Sequence, residues 1–289
     1  MEDNFSCPAC RVSRPERDGP VVFDSPHSGF VLPPDFRPAA KLADIRTTCD
    51  SYVDELCVGV TTAGATLLAA TFPRAYIDTN RAANDIDPAV VETAWPGQVE
   101  LSEHSQRGMG LIRRFALPGV PMYDRPLPIA EIEGRIENYY TPYRRTLAAL
   151  LDAAAARHGR VWHFNMHSMK SKGNAMNRDT GSVRPDLVIG DRLGTTAPAE
   201  LTARVAAFFR ARGYHVAINE PYRGADIVRC HGEPVRGRYS LQIEINRRLY
   251  MDETTFERGP RFAQVQAEIV DFARMIVALA AQDVVSSAS

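Results

Sequence analysis

The amino-acid sequence predicts an α/β fold, a three-layer αβα sandwich with a mixed, largely parallel central sheet. Short apolar runs of strand length alternate along the 289 residues with longer segments of helical periodicity. Such alternation is typical of a sheet that carries helices on both faces. No repeat and no linker divides the chain. We therefore expect one domain at residues 20–283, between a flexible N-terminal tail at 1–19 and a C-terminal tail at 284–289.

The first elements follow from short local patterns. Residues 21–24 are an apolar run that ends in Ser-Pro-His-Ser-Gly, a sequence typical of a loop, and they predict a buried strand. From Asp50 onward apolar residues recur at helical spacing, which predicts a helix. Residues 66–70 predict a second buried strand, and residues 75–78 predict a third, short one.

Beyond these elements the chain alternates in the same way. Residues 88–128 are rich in glycine and proline, and a loop this long is usually functional or contains a hairpin. The clearest helix is predicted at 129–157, where apolar residues keep a helical period. The remaining predicted elements are strands at 161–166 and 186–189, a helix at 198–212, strands at 216–219 and 239–245, and a helix at 261–281.

The composition excludes several classes of protein. Hydrophobic residues make up 45% and charged residues 24%, as expected for a globular protein, and the net charge is -1. A near-zero charge without a basic-aromatic stripe argues against a nucleic-acid partner. Because the net charge provides no overall attraction for anions, an anionic substrate must be held by local arginines. No apolar run approaches the roughly 20 residues of a membrane span, and the first residues lack a signal-peptide pattern. We expect no membrane partner and a cytoplasmic protein.

The five cysteines do not predict a metal site. Cys7 and Cys10 have the spacing of half a zinc knuckle, but no second pair of this spacing follows. We expect reduced thiols near the N-terminus.

Two histidines occupy nearly the same setting, and they are the most informative residues of the sequence. His27 and His167 each follow an apolar, strand-like run, and each precedes a serine. In an α/β sheet the functional side chains gather where strands end and loops begin. Imidazoles on neighbouring strands suit a catalytic metal, which usually takes three protein ligands and leaves one position open.

The third metal ligand is predicted to be a carboxylate. Asp50 and Asp54 are four residues apart at the start of the first predicted helix and so share a face. Asp50 is the preferred ligand because it lies nearer the loop, and Asp54 is the alternative ligand or a hydrogen-bond partner of a metal-binding histidine. Both could instead serve ordinary roles at a helix N-terminus.

Glu244 is the predicted catalytic base. It lies in a strand in which Leu241, Ile243 and Ile245 occupy one face and Gln242 and Glu244 the other. On a sheet covered on both sides this carboxylate would be buried, with a raised pKa that suits general-base catalysis.

Two arginines are candidates for binding a substrate carboxylate. Asn80 and Arg81 follow the short run at 75–78, and arginine binds carboxylates in bidentate fashion. Arg229 is a second candidate. For any one of these arginines a structural salt bridge is a common alternative.

Together these motifs resemble the N-formylglutamate amidohydrolase family, zinc hydrolases related to carboxypeptidase- and aspartoacylase-like enzymes. The resemblance extends from about residue 21 to residue 253. It rests on five motifs in order, with Tyr-Met-Asp-Glu at 250–253 after them: Ser-Pro-His-Ser-Gly at 25–29, Asp-Ser-Tyr-Val-Asp at 50–54, Tyr-Ile-Asp-Thr-Asn-Arg at 76–81, Met-His-Ser at 166–168 and Gln-Ile-Glu at 242–244.

The resemblance implies one Zn²⁺ held by His27, an acid near Asp50 and His167, with Glu244 as base and Asn80-Arg81 as the carboxylate clamp. The chain departs from the wider carboxypeptidase-like H-x-x-E motif, since Phe30 stands three residues after His27. The implied reaction converts N-formyl-L-glutamate to formate and L-glutamate, the last step of one route of histidine breakdown. The alternatives are a zinc amidohydrolase or carboxypeptidase for another N-acyl amino acid or a peptide end, and a non-catalytic binding protein of the same fold.

Overall fold

The structure, a computed structural model that describes residues 8–286, is built on a seven-stranded sheet. The strands lie in the order β1-β3-β2-β6-β9-β7-β8. Their bounds are β1 Cys10–Ser13, β2 Val21–Ser25, β3 Thr66–Ala70, β6 Val161–Met169, β7 Leu187–Gly190, β8 Val216–Ile218 and β9 Arg238–Asn246, and a separate hairpin is formed by β4 Phe115–Leu117 and β5 Val120–Pro121.

The centre of the sheet is parallel and its margins are mixed. Strands β3, β2, β6 and β9 pair in parallel, whereas β1 is antiparallel to β3 and β7 is antiparallel to β9. The predicted mixed, largely parallel sheet is therefore confirmed.

Helices cover both faces of the sheet. One face packs against α2, α6 and α8, and the other against α4, α5 and α7. The helices are α1 Leu42–Arg46, α2 Val53–Cys57, α3 Glu103–Gln106, α4 Ile129–Arg135, α5 Thr141–His158, α6 Ala199–Arg210, α7 Asp226–His231 and α8 Phe262–Ser286. None of the helices in the described range is long and apolar enough to cross a membrane.

The long predicted helix at 129–157 is interrupted by a π-helix. Ile136–Tyr140 joins α4 to α5 in place of a regular turn. Pro142 stands just after it in the first turn of α5. Because proline lacks an N–H and its ring crowds the preceding turn, the wider π turn lets the two helices continue through this residue.

Two predicted segments differ from the structure. Cys10–Ser13 is an edge strand, not part of a flexible tail; with four residues and a charge at Arg11 it has no apolar pattern to reveal it. The predicted strand at 75–78 is wrong. Its apolar residues Tyr76 and Ile77 are buried in a turn, and the Asp78 N–H donates to Leu111 O at 2.9 Å instead of to the sheet.

The chain ends also differ from the expected tails. Helix α8 continues to Ser286, through part of the segment expected as a C-terminal tail. Residues 1–7, including Cys7, and residues 287–289 lie outside the described range, so the expectations for them are untested.

The two faces of the central strands differ in polarity. On β6 and β9 one face is apolar and packs against α8 and its neighbours. The other face is polar and nevertheless buried, carrying His163, Asn165 and His167 on β6 and Ser240, Gln242 and Glu244 on β9. Buried polar groups need partners, so this stripe is where a functional site is expected.

Candidate metal centre and active site

The two histidines meet because their strands are neighbours. Strand β2 pairs in parallel with β6, with Asp24 opposite Asn165. His27 follows the end of β2 and His167 lies near the end of β6, and their ring centroids are 4.7 Å apart. Both side chains are buried. The prediction that neighbouring strands bring these histidines together is confirmed.

Asp50 completes a group of three side chains. Its backbone N–H donates to His27 O at 3.0 Å, which ties the start of the α2 segment to the loop after β2. Asp50 Oδ2 lies 2.9 Å from His167 Nδ1 and 3.5 Å from His27 Nδ1. One ligand atom from each of the three residues lies within 4.8 Å of the others, and we call His27, Asp50 and His167 the candidate metal group.

The hydrogen bonds on the far side of each ring fit a metal at this point. His27 Nε2 donates to Asp78 Oδ1 at 2.7 Å, and its buried Nδ1 has no hydrogen-bond partner among the residues that the structure describes. His167 Nε2 donates to Asn165 Oδ1 at 2.7 Å. With Nε2 as the donor, each ring directs Nδ1 toward Asp50, as metal-binding histidines do when their other ring nitrogen donates to a neighbouring oxygen. Two imidazole nitrogens and a carboxylate oxygen fit a divalent metal.

Charged neighbours keep Asp50 ionised. Burial alone would raise its pKa, but the adjacent side chains of His167 and His27 hold the pKa of Asp50 well below its usual value. Arg247 Nη2 also donates to Asp50 Oδ1 at 3.1 Å. Burial and then Arg74 lower the pKa of His27, which favours the neutral ring that a metal requires.

A second buried carboxylate supports His167 from behind. Asp24 accepts hydrogen bonds from Asn165 Nδ2 at 2.8 Å, His163 Nε2 at 2.9 Å and the Tyr143 hydroxyl at 2.7 Å. Because Asn165 gives its amide hydrogens to Asp24, its oxygen faces His167. This chain of contacts fixes the orientation of the His167 ring.

Glu244 lies on the next strand, directly opposite His167 in the parallel register. It is buried, and burial raises its pKa. Gln242 Nε2 donates to Glu244 Oε1 at 2.8 Å, which leaves Oε2 without a protein hydrogen bond in the described part of the chain. A buried carboxylate next to the histidine pair is placed to exchange a proton with a bound water.

Asn80 and Arg81 lie beside the candidate metal group, and they differ in how much of each side chain is free. Asn80 Nδ2 donates to Asn165 Oδ1 at 3.4 Å, beside His167, and its Oδ1 accepts from the Ile227 N–H at 2.8 Å. Arg81 donates Nε to Met109 O and Nη1 to Asn80 O, each at 2.9 Å. The amide of Asn80 is thus engaged at both ends, whereas Arg81 Nη2 has no partner among the described residues.

The other two candidates lie away from this group. Asp54 forms an ion pair with Arg11 at 2.8 Å, and the Arg11 side chain is 67% exposed. Arg229 pairs with Asp226 at 2.5 Å, and its side chain is 53% exposed. Neither side chain contacts His27, Asp50 or His167.

Several buried residues of the site were not predicted. Asp24 and Asn165 could have been found from the sequence, because each is a polar residue among the apolar residues of a predicted strand. The same pattern identified Glu244. Asp78 stands two residues before Asn80 in the motif at 76–81 and accepts a hydrogen bond from His27. Arg247 contacts Asp50 across 197 residues of sequence, and no local pattern indicates this contact.

Comparison with known proteins agrees with the motifs. The sequence model of the N-formylglutamate amidohydrolase family matches residues 19–251. A solved structure of an N-formylglutamate amidohydrolase from Ralstonia eutropha is 41% identical, with a TM-score of 0.91, and the match covers 95% of this chain and 99% of that one.

Two curated relatives are more distant. They are N-formylglutamate deformylases of Pseudomonas aeruginosa and Pseudomonas putida, 28% and 26% identical over 239 residues, which is 81% of this chain and 83% of each relative. The family match spans all five motifs that carry the resemblance. The chain therefore belongs to the N-formylglutamate amidohydrolase family.

Proposed function

We propose that the protein is a zinc-dependent amidohydrolase that cleaves the formyl amide of N-formyl-L-glutamate to formate and L-glutamate. Family membership supports the reaction class, and the names of the relatives support the substrate. The observation that carries the proposal is the buried, unpartnered Nδ1 of His27, directed at the carboxylate that also meets His167.

In this proposal His27, Asp50 and His167 hold one Zn²⁺. The ion would polarise the formyl oxygen and lower the pKa of the attacking water. Asp78 and Asn165 keep both imidazoles in the orientation that directs Nδ1 inward. Arg247 balances the charge of Asp50.

Glu244 acts as the proton carrier. As water adds to the formyl carbon, Glu244 accepts a proton from it and then delivers that proton to the amide nitrogen as the C–N bond breaks. A carboxylate whose pKa is raised by burial is suited to both steps, because it takes up the proton more readily than an exposed one.

Arg81 binds a substrate carboxylate through its free Nη2. The two carbonyl oxygens that accept from Nε and Nη1 hold its guanidinium rigidly, so that little side-chain freedom is lost when substrate binds. Asn80 donates to the Asn165 oxygen that also accepts from His167, and it accepts from the backbone at the start of α7. Release of glutamate from this substrate suits the last step of one route of histidine breakdown, which we propose as the context.

The proposal is tested by activity and by metal content. The purified protein should hydrolyse N-formyl-L-glutamate in preference to N-acetyl-L-aspartate and to a panel of C-terminal peptides. Preference for either of the latter would instead support a different acyl-amino acid hydrolase or a carboxypeptidase. If the protein as purified contains no metal and hydrolyses none of these substrates, a non-catalytic binding protein would be supported instead.

Metal analysis of variants tests the ligand set. We expect His27→Ala, His167→Ala and Asp50→Asn to lose bound zinc, and Asp54→Asn to retain it, because Asp54 pairs with Arg11 away from the site. Full zinc occupancy in both histidine variants would refute the site.

A further inference from the structure

Arg113 lies next to the loop that carries Arg81. Residues Met109 and Arg113 form a short bridge with each other. Met109 O accepts a hydrogen bond from Arg81 Nε at 2.9 Å, and the Asp78 N–H donates to Leu111 O at 2.9 Å. The segment 109–113 is thus bonded at two points to the loop that surrounds the candidate metal group.

Arg113 is buried but lacks a partner for its charge. Its side chain donates one hydrogen bond, from Nε to Phe115 O at 3.4 Å, and no ion pair is formed within the described range. Burial, followed by the charge of Arg74, lowers the pKa of Arg113 to about 9. Asp78 also acts on this guanidinium, but its oxygens are already bonded to Arg74 and His27.

This situation is uncommon among the arginines of the protein. Five arginines in the described range are buried. Arg135, Arg184 and Arg247 each pair with a carboxylate, whereas Arg81 and Arg113 do not. An unpaired buried cation is costly. Two such cations near the candidate metal group indicate a ligand that brings two negative charges.

We propose that Arg113 binds the side-chain carboxylate of a dicarboxylic N-acyl amino acid, while Arg81 binds its α-carboxylate. Arg81 receives the α-carboxylate because that group is next to the scissile amide, and Arg81 follows Asn80, which contacts His167. Arg113, on the adjoining segment, receives the more distant carboxylate. The assignment deepens the proposed function and rests on it for the identity of the substrate.

The kinetic test compares N-formyl-L-glutamate with N-formyl-L-glutamine, which lacks the side-chain charge. Loss of a buried charged hydrogen bond should lower kcat/KM of Arg113→Met for N-formyl-L-glutamate about 10²-fold, with little change for N-formyl-L-glutamine. Arg81→Met should lower both. Arg113→Lys should restore part of the preference, since it keeps the charge without the bidentate geometry. Equal losses on both substrates, or no loss on either, would overturn the assignment.

A binding test is independent of catalysis. Glutarate, a dicarboxylate without an amide, should raise the thermal unfolding midpoint of the wild-type protein but not that of Arg113→Met. The control is Arg114→Met, since this neighbouring arginine pairs with Asp87 at 3.2 Å. If the wild type proves inactive on N-formyl-L-glutamate, glutarate binding that depends on Arg113 still supports the anion site. Glutarate binding unaffected by Arg113→Met overturns it.

The unfolding midpoint without ligand separates binding from a structural role. Because no described residue gives Arg113 a carboxylate partner, Arg113→Met should leave the midpoint of the ligand-free protein unchanged or raise it. A clearly lowered midpoint without ligand would show that Arg113 stabilises the fold and would overturn the assignment to a substrate.

Discussion

Replacing Asp78 by asparagine should destabilise the protein and weaken its metal binding. Asp78 is completely buried and accepts hydrogen bonds from His27 Nε2 at 2.7 Å, from the Asn80 N–H at 2.9 Å, and from Arg74 Nη2 at 2.6 Å and Nε at 3.1 Å. An asparagine oxygen can still accept from His27, but the amide hydrogens would face Arg74. The released guanidinium would have Asp50 Oδ1, 3.9 Å away, as an alternative partner.

The size of the loss depends on the Arg74 charge left unpaired and on the weakened support of His27. Removing one member of a buried ion pair costs about 3–5 kcal/mol. Loss of the carboxylate behind a metal-binding histidine weakens metal affinity about 10–100-fold. We therefore expect Asp78→Asn to lose about 3–5 kcal/mol of unfolding free energy and to bind zinc at least tenfold more weakly.

Two measurements check this prediction. Urea unfolding in the presence of a chelator gives the free energy of the metal-free protein, and competition with a chromophoric chelator gives the zinc affinity. Asp54→Asn is the matched control, since its pair with the exposed Arg11 should contribute less than about 1 kcal/mol. If Asp78→Asn behaved like this control in both measurements, Asp78 would not be the residue that supports His27 and pairs with Arg74.

Three further predictions concern other parts of the site. Glu244→Gln should lower kcat about 10²–10⁴-fold while zinc content, measured by elemental analysis, stays at the wild-type level; loss of zinc would identify Glu244 as a ligand instead. Arg229→Met should change kcat/KM less than about twofold, because this arginine is exposed and already paired with Asp226, and a large increase in KM would restore it as a substrate contact. The third prediction concerns Asp24. Burial alone would raise the pKa of Asp24, but its hydrogen bonds, first the one from His163, hold that pKa below the usual 3.8. Its stabilisation is therefore present above pH 3.8 and lost as the pH falls through the folded-state pKa, so in urea unfolding below about pH 4 Asp24→Asn should show a weaker pH dependence than the wild type; an unchanged dependence would contradict this.

Most of the central sheet follows from the sequence because its strands are apolar runs long enough to be recognised. Strands β2, β3, β6 and β9 were predicted within a few residues of their bounds. The alternation of β9 correctly assigned Glu244 to the face opposite Leu241, and its burial followed from helices on both sides. The segment at 75–78 was predicted wrongly because burial in a loop produces the same apolar pattern as burial in a strand.

The sequence by itself determined the family, the fold class and the pair of histidines, since each depends on local pattern or on motifs in order. Only the tertiary structure distinguished Asp50 from Asp54: the two acids share a helical spacing, but one faces the histidines and the other faces Arg11. Only the structure showed that Arg229 is at the surface, and that Arg81 and Arg113 are buried with no carboxylate partner among residues 8–286. The physical reason is that burial and charge pairing depend on segments far apart in the chain, and no local spacing records which of them meet.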